Sequence, residues 1–225
     1  MSDIADSSNM IPTSDYREHA PVAALDRHVA CVWTQRIGPG STPLSPGSLV
    51  VGVRFRPGLA PTMLGLPASE LIDDRVDLNL LWRRAAGRLA GRLGDAAGPG
   101  AAVRLLEGEL VERLPGAAPV DPFVEAVVAE LRAGPPAPVV AKLAATLGTS
   151  ERQLHRRCLD AFGYGPKTLD RVLRFQRFLS MARSAAPLGH VGLARLAADA
   201  GYADQAHLAR ECRSLGGVPP RRLLG

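Results

Sequence analysis

The sequence predicts a mainly α-helical protein in which two helix-turn-helix motifs, joined by a long helix, follow a small and incomplete α+β domain. Apolar residues recur at spacings of three and four over most of the chain, which is typical of amphipathic helices. One pattern of about 27 residues occurs twice in the last 105 residues. Only two short segments have the composition of strands, and two strands cannot close a barrel.

Composition excludes several classes of protein. The chain has 225 residues, of which 46% are hydrophobic and 22% charged, as expected for a globular protein of one or two domains. No run of 18 apolar residues could span a membrane, and the polar, acidic N-terminus does not look like a secretion signal. Cys31, Cys158 and Cys212 lie far apart, which argues against a disulfide framework or a structural zinc site. We therefore expect a protein of the reducing cytoplasm.

The first 93 residues are interpreted as a shortened α+β region. Val-rich segments at 29–36 and 49–56 predict two strands, and the Pro/Gly/Leu pattern of 57–72 predicts a turn with a short helix. A helix is predicted over 78–93, where one face is apolar and the arginines fall elsewhere. The apolar face consists of Leu78, Trp82, Ala85, Leu89 and Leu93.

Residues 94–120 are interpreted as a linker that contains a helix over 101–114. Pro/Gly-rich breaks lie at both ends of this segment, at 94–100 and 115–122. The predicted helix has an apolar stripe of Val103, Leu106, Leu110 and Leu114. That stripe would serve a homodimer formed through residues 78–114 or the packing of the helix on its own domain, and the sequence favours neither.

The net positive charge of the chain comes from its C-terminal part. Residues 1–120 have 12 Arg and 13 Asp or Glu, a net charge of −1, whereas residues 121–225 have 15 Lys or Arg and 9 Asp or Glu, a net charge of +6. Such asymmetry predicts that residues 121–225 bind nucleic acid or another acidic surface.

The internal repeat predicts two copies of one motif. Four identities occur at an offset of 53, and after one inserted residue six more occur at an offset of 54. The first four pair Leu143, Ala144, Ala145 and Gly148 with Leu196, Ala197, Ala198 and Gly201. The other six pair Leu154, Arg156, Cys158, Gly163, Pro166 and Leu169 with Leu208, Arg210, Cys212, Gly217, Pro220 and Leu223.

Each copy has the pattern of a helix-turn-helix, which predicts motifs over 139–162 and 193–215. A short Ala/Leu helix ends at a glycine, and a capping residue then begins the second helix. The glycines are Gly148 and Gly201, the caps are Ser150 and Asp204, and Leu154 and Leu208 are expected to face the core. A helix predicted over 166–184 joins the two motifs and would span roughly 28 Å.

Residues near the start of each second helix are expected to point outward. They are Arg152, His155 and Arg156 in the first copy, and Gln205, His207, Ala209 and Arg210 in the second. Arginine pairs with guanine, glutamine pairs with adenine, and alanine contacts the methyl group of thymine in the major groove. These seven residues are therefore the predicted DNA-binding set, and a solvated helix surface is the alternative.

The two motifs identify a family resemblance. GYADQAHLARECRSLGGVPPRRL at 201–223 and LAATLGTSERQLHRRCLDAFGYGP at 143–166 resemble the DNA-binding domain of AraC/XylS-type transcription regulators. The resemblance implies a seven-helix domain over 121–225 that reads two adjacent major-groove segments of double-stranded DNA. It also implies transcription regulation, with activation as the working expectation and RNA polymerase as a further partner, and no cofactor. The chain departs from the family pattern at Leu208, Cys158, Cys212 and Pro219.

The N-terminal part resembles a sensor domain that has lost most of its barrel. Segments 16–33 and 50–76 are similar to the N-terminal domain of one branch of these regulators, where several strands lie between them. Here only the loop 37–48 joins the two segments. We therefore expect no small-molecule effector and a DNA affinity that does not depend on one.

Enzymatic and metal-binding functions have little support. The five histidines show no metal-ligand spacing, and no nucleophile elbow or phosphate-binding loop is present. We expect a protein that is not an enzyme and holds neither metal nor cofactor. The alternative function is a protein-interaction module that docks on a related regulator or another partner through residues 1–114.

Overall fold

The computed structural model describes residues 31–33, 51–53, 55–71, 75–117, 119–133, 140–185 and 192–223. In these residues the chain forms eleven α-helices and two short strands, so the expected mainly α-helical class is confirmed. The described residues fall into two compact units, with the boundary between Val120 and Asp121. No helix within the described ranges is long and apolar enough to cross a membrane.

The first unit combines a two-stranded sheet with four α-helices. Strand β1 pairs antiparallel with β2, and Val32 lies opposite Val76. In chain order the elements are β1 (Cys31–Trp33), α1 (Ala60–Leu64), a 3-10 turn (Ala68–Leu71), β2 (Arg75–Asp77), α2 (Leu78–Trp82), α3 (Arg84–Gly94), α4 (Pro99–Arg113) and a second 3-10 turn (Leu114–Gly116).

The prediction of a strand over 49–56 is wrong for its described residues, 51–53 and 55–56, which form no ladder. The strand that pairs with β1 is β2, which the sequence did not predict. Val53 and Phe55 instead lie in irregular chain and pack against the hydrophobic core of the first unit. Their apolar character therefore reflects burial, which composition cannot distinguish from strand pairing. Of the strand predicted over 29–36, the described part is β1.

The helix predicted over 78–93 is interrupted at Arg83, which has φ 51° and ψ −127°. Asp77 begins α2 by accepting a hydrogen bond from the Asn79 backbone N–H at 2.8 Å. Trp82 before the break and Ala86 after it are both buried in the same core. Arginine is a good helix former and seldom adopts a positive φ, so no local sequence signal marks this break.

Helix α4 contributes to the core of the first unit. Leu110 is buried, Leu106 and Leu114 pack against the same cluster, and Val103 is 38% exposed. The packing role predicted for this stripe therefore accounts for three of its four members. The homodimer through residues 78–114 stays a prediction.

The described part of residues 121–225 contains seven helices. They are α5 (Pro122–Arg132), α6 (Val140–Thr146), α7 (Glu151–Phe162), α8 (Pro166–Ala185), α9 (Leu193–Ala200), α10 (Gln205–Gly216) and α11 (Pro220–Leu223). The second helix of each predicted motif, α7 and α10, lies where the capping residues place it. The first helix of the first motif, α6, ends at Thr146, shortly before Gly148, where the sequence predicts the turn.

Helix α8 joins two small cores. Its first half contributes Leu169 and Leu173 to a core formed with α5, α6 and α7. Its second half contributes Phe178 and Ala182 to a core formed with α9 and α10. Each of these two cores contains the buried residues of one copy of the repeat, and the expected inward positions of Leu154 and Leu208 are confirmed. Leu154 and Cys158 are buried in the core formed with α5, α6 and α7, and Leu208 and Cys212 are buried in the core formed with α9 and α10.

Candidate nucleic-acid interface

A capping box fixes the start of α7. Gly148 adopts a left-handed conformation with φ 62° and allows the chain to turn after α6. Ser150 Oγ accepts a hydrogen bond from the Gln153 backbone N–H at 3.2 Å, and Gln153 Oε1 accepts one from the Ser150 backbone N–H at 3.3 Å. These reciprocal bonds satisfy two donors at the helix start and hold the first turn of α7 in place.

The start of α10 is capped in a related way. Gly201 turns the chain with φ 90°, and the Asp204 carboxylate accepts a hydrogen bond from the His207 backbone N–H at 2.6 Å. His207 Nδ1 lies 3.5 Å from the Ala203 backbone N–H, from which it accepts a weak hydrogen bond. Its ring also packs edge-on against Tyr202, with 5.2 Å between centroids. At the offset of 54, His207 takes the position that Gln153 holds in the capping box of α7.

The seven predicted DNA-binding residues differ in exposure. Five of them are exposed: Arg152, His155 and Arg156 on α7, and Gln205 and Arg210 on α10. His207 and Ala209 are half-buried, so the structure places them at the edge of the outward face. Ala206 is exposed and occupies the position of Arg152 in the second copy. The repeat offset could have identified Ala206 as an outward residue of α10, whereas its side-chain chemistry did not point to it.

Arg157 faces away from the outward residues of α7. Its guanidinium pairs with the Asp121 carboxylate and lies 3.7 Å from the centre of the Phe123 ring. Asp121 also caps α5 by accepting a hydrogen bond from the Phe123 backbone N–H at 2.9 Å. The hydrogen bond from Arg157 lowers the pKa of the Asp121 carboxyl below its usual 3.8. Arg157 therefore ties α7 to α5, a role that residue spacing did not reveal.

A second arginine ties α10 to α8. Arg171 Nε lies 3.1 Å from both carboxylate oxygens of Glu211, and Arg171 Nη2 lies 3.0 Å from Glu211 Oε1. Arg171 also donates a hydrogen bond to Ser214 Oγ at 3.2 Å. Glu211 and Ser214 both lie on α10, one turn apart, so this contact restrains the rotation of that helix.

Two more arginines of α8 are bound within the protein. Arg174 pairs with Asp170 one turn earlier and lies 5.5 Å from the centre of the Tyr202 ring. Arg177 donates a hydrogen bond to the backbone carbonyl of Arg132 at 3.0 Å and so joins the end of α5 to α8. Part of the positive charge of this unit therefore stabilises the fold. The cations that stay exposed include Lys142, Arg152, Arg156, Lys167, Arg210, Arg213, Arg221 and Arg222.

The two thiols of this unit are core groups. Burial raises the pKa of Cys158 to about 11 and that of Cys212 to about 12. Both thiols are therefore protonated at neutral pH, where a protonated thiol is a poor nucleophile and a poor metal ligand. No group of three or more His, Cys, Asp or Glu side chains suited to a metal ion occurs in the described part of the chain.

Comparison with known proteins gives a match to the segment that contains the repeat. Residues 143–225 match a family described as a helix-turn-helix domain, and this segment begins in α6 and includes α7 to α11. No curated protein and no solved structure matches the chain. The sensor-like interpretation of the N-terminal part stays a prediction. At the level of this domain, residues 143–225 are similar to helix-turn-helix domains of the AraC type, and the match supports DNA binding in transcription regulation.

Proposed function

We propose that the chain is a sequence-specific regulator of transcription, in which α7 and α10 enter adjacent major-groove segments of double-stranded DNA. One observation carries this proposal. Arg156 and Arg210 are the sixth residues of two capped helices, and both are exposed on the side opposite a fully buried leucine. A helix that is anchored on one face and presents arginine near its start is suited to reading guanine in a groove.

The connecting helix supports a two-site arrangement. Helix α8 has 20 residues, which at 1.5 Å per residue gives a length of about 30 Å. Recognition helices that read successive major grooves on one side of DNA lie about 34 Å apart. Because α8 contributes to both small cores, it forms a continuous scaffold between the two motifs.

The proposed roles follow from side-chain chemistry and exposure. Arg156 and Arg210 contact a base edge or an adjacent phosphate, and Arg152 and His155 extend the same face of α7. Gln205 is the candidate for adenine in the second half-site. His207 and Ala209 stay in the proposed set at its edge, where a half-buried residue meets DNA by a small part of its surface.

The test begins with DNA fragments that the purified full chain selects from genomic DNA. Arg156→Ala and Arg210→Ala should each weaken binding to the selected site by about 1–3 kcal/mol, measured by fluorescence anisotropy. Arg88→Ala is the control, because it removes the same charge from an exposed position of α3 in the other unit. If both variants bind as the wild type does while circular dichroism shows an intact fold, the assigned interface is wrong.

The salt dependence separates phosphate contacts from base contacts. Log affinity should fall linearly with log salt concentration, because each phosphate contact releases counterions. Loss of a phosphate contact should reduce the slope by about one, whereas loss of a base contact should relax sequence preference and leave the slope unchanged. A flat salt response, together with capture of a protein through residues 1–114, would favour the alternative of a docking module.

We further infer that DNA binding does not require a ligand enclosed in the first unit. In the described part of that unit, the sheet consists of two three-residue strands, which cannot surround a drug-sized molecule. The regulator would then act in the cytoplasm through its abundance or a partner such as RNA polymerase. A small metabolite that raises the melting temperature of the full chain and changes its DNA affinity would contradict this inference.

A further inference from the structure

The imidazole of His155 lies directly against Gly165, the residue that precedes α8. A Cβ atom placed on Gly165 would be 2.6 Å from His155 Cε1 and 2.7 Å from His155 Nδ1. Non-bonded carbon atoms make favourable contact at about 3.5–4.0 Å. Any residue other than glycine at this position would therefore have to displace the imidazole.

The backbone conformation does not require a glycine at position 165. Gly165 is not among the glycines with positive φ, so its conformation suits other residues as well. Its carbonyl accepts hydrogen bonds from the backbone N–H groups of Thr168 and Leu169 at 3.1 and 3.0 Å, which begin α8. Glycine is one of the residues found at such a helix start, although serine, asparagine and aspartate rank above it. The space that glycine leaves is the space that His155 occupies.

In the second copy of the repeat, the relative sizes of the two equivalent residues are reversed. At the offset of 54, Ala209 stands in the place of His155, and Pro219 stands in the place of Gly165. Where the turn residue is small, the recognition helix has a large side chain, and where the turn residue is larger, the helix has alanine. This exchange is expected if the two positions share one limited space.

We infer that Gly165 is a specificity-determining residue, because it sets the orientation in which His155 is presented to DNA. This inference rests on the proposed function. Gly165 itself meets no base. It lets the imidazole lie against the turn between α7 and α8, and so decides which base edge His155 reaches.

A double-mutant cycle on the full chain tests this coupling. The variants are Gly165→Ala, His155→Ala and the double variant, and each is measured against the selected DNA site and its single-base substitutions. Gly165→Ala should change the preference at one base pair by at least about fivefold, the lower end of a base-edge contact. In the His155→Ala background, the same change should alter the preference by less than about twofold, as expected for uncoupled sites.

Gly192→Ala provides the matched control. Gly192 caps α9, and a Cβ atom placed on it would meet nothing within 4 Å. The same chemical change at a helix start should therefore leave base preference unaltered. Proton–nitrogen NMR spectra of the His155 ring should shift in Gly165→Ala and stay unchanged in Gly192→Ala.

Equal effects of Gly165→Ala with and without His155 would overturn the inference, as would an unchanged His155 ring spectrum. If Gly165→Ala does not fold, the pair Gly165→Pro with His155→Ala, which copies the second repeat, decides instead. That pair should fold, and its failure to fold would count against a shared space. If the wild type binds no DNA at all, the proposed function fails. The ring spectrum and the thermal unfolding of the same cycle then still measure the contact.

Discussion

The ion pair between Arg171 of α8 and Glu211 of α10 is expected to hold α10 in place. Arg171→Ala removes three hydrogen bonds to the carboxylate of Glu211 and Ser214 Oγ and leaves that carboxylate in a largely enclosed position. The Glu211 side chain is 13% exposed, and the Arg171 side chain is 37% exposed. The variant should therefore lower the free energy of unfolding of the second unit.

The expected loss in the free energy of unfolding lies between two known limits. Exposed ion pairs contribute about 0–1 kcal/mol, and breaking a buried pair costs about 3–5 kcal/mol. Because one partner is enclosed and the other partly open to water, we expect a loss of about 1–3 kcal/mol, similar to that of hydrogen bonds to charged groups. At a typical urea dependence, a loss of 2 kcal/mol lowers the midpoint by about 1 M.

The chain has a built-in internal control for this measurement. Both tryptophans, Trp33 and Trp82, lie in the first unit, so tryptophan fluorescence follows the unfolding of that unit. Far-ultraviolet circular dichroism follows the helices of both units. In Arg171→Ala the urea midpoint measured by fluorescence should stay unchanged. The part of the dichroism change that reports the second unit should move to a lower urea concentration.

Two further variants separate charge from geometry. Arg171→Lys keeps the charge but cannot make the same paired contact with both oxygens, so it should recover only part of the loss. Arg171→Ala with Glu211→Gln removes the enclosed charge and should be more stable than Arg171→Ala alone. The reasoning is refuted if Arg171→Ala moves the dichroism midpoint by less than about 0.2 M urea, or if it moves the fluorescence midpoint equally.

Two other outcomes follow from the pKa shifts. The lowered pKa of Asp121 means that its pairing with Arg157 stabilises the fold above pH 3.8 and is lost as the pH falls below that value. Asp121→Asn keeps a helix cap, so below pH 3.8 its stability should converge with that of the wild type, and acid unfolding curves without convergence would contradict this. In a Cys31→Ser background, Cys158 and Cys212 should resist a thiol reagent at pH 8 until urea unfolds the chain, and rapid native labelling would show that these thiols are accessible.

The sequence predicted the elements whose boundaries depend on local chemistry. Ser150 and Asp204 cap the helices that they were expected to cap, because the capping hydrogen bond lies within three residues of its acceptor. Gly201 adopts the left-handed conformation that stops α9. Leu154 and Leu208 are buried because helical periodicity fixes the face on which they lie.

The features that the sequence missed have different physical origins. The pairing of β1 with β2 has no local signal, since the two strands lie far apart in the chain. The break at Arg83 has no local signal either, because arginine seldom adopts a positive φ. The weak hydrogen bond that His207 accepts near the start of α10 was not predicted, because histidine is also a plausible DNA contact. Alignment of the two repeats points to this position, since Gln153 at the equivalent place completes the capping box of α7.

Comparison of the two copies of the repeat shows which features they share and which differ. Both copies keep the buried leucine, the buried cysteine and the outward arginine, but each fixes its second helix through a different arginine. Arg157 holds α7 to the capping residue of α5, whereas Arg171 reaches from α8 to hold α10. Neither of these arginines is available to DNA while it makes its ion pair. The count of 15 Lys and Arg residues in this unit therefore overstates the number of cations available to contact phosphate. In the proposed function, selectivity depends on the outward side chains that α7 and α10 present.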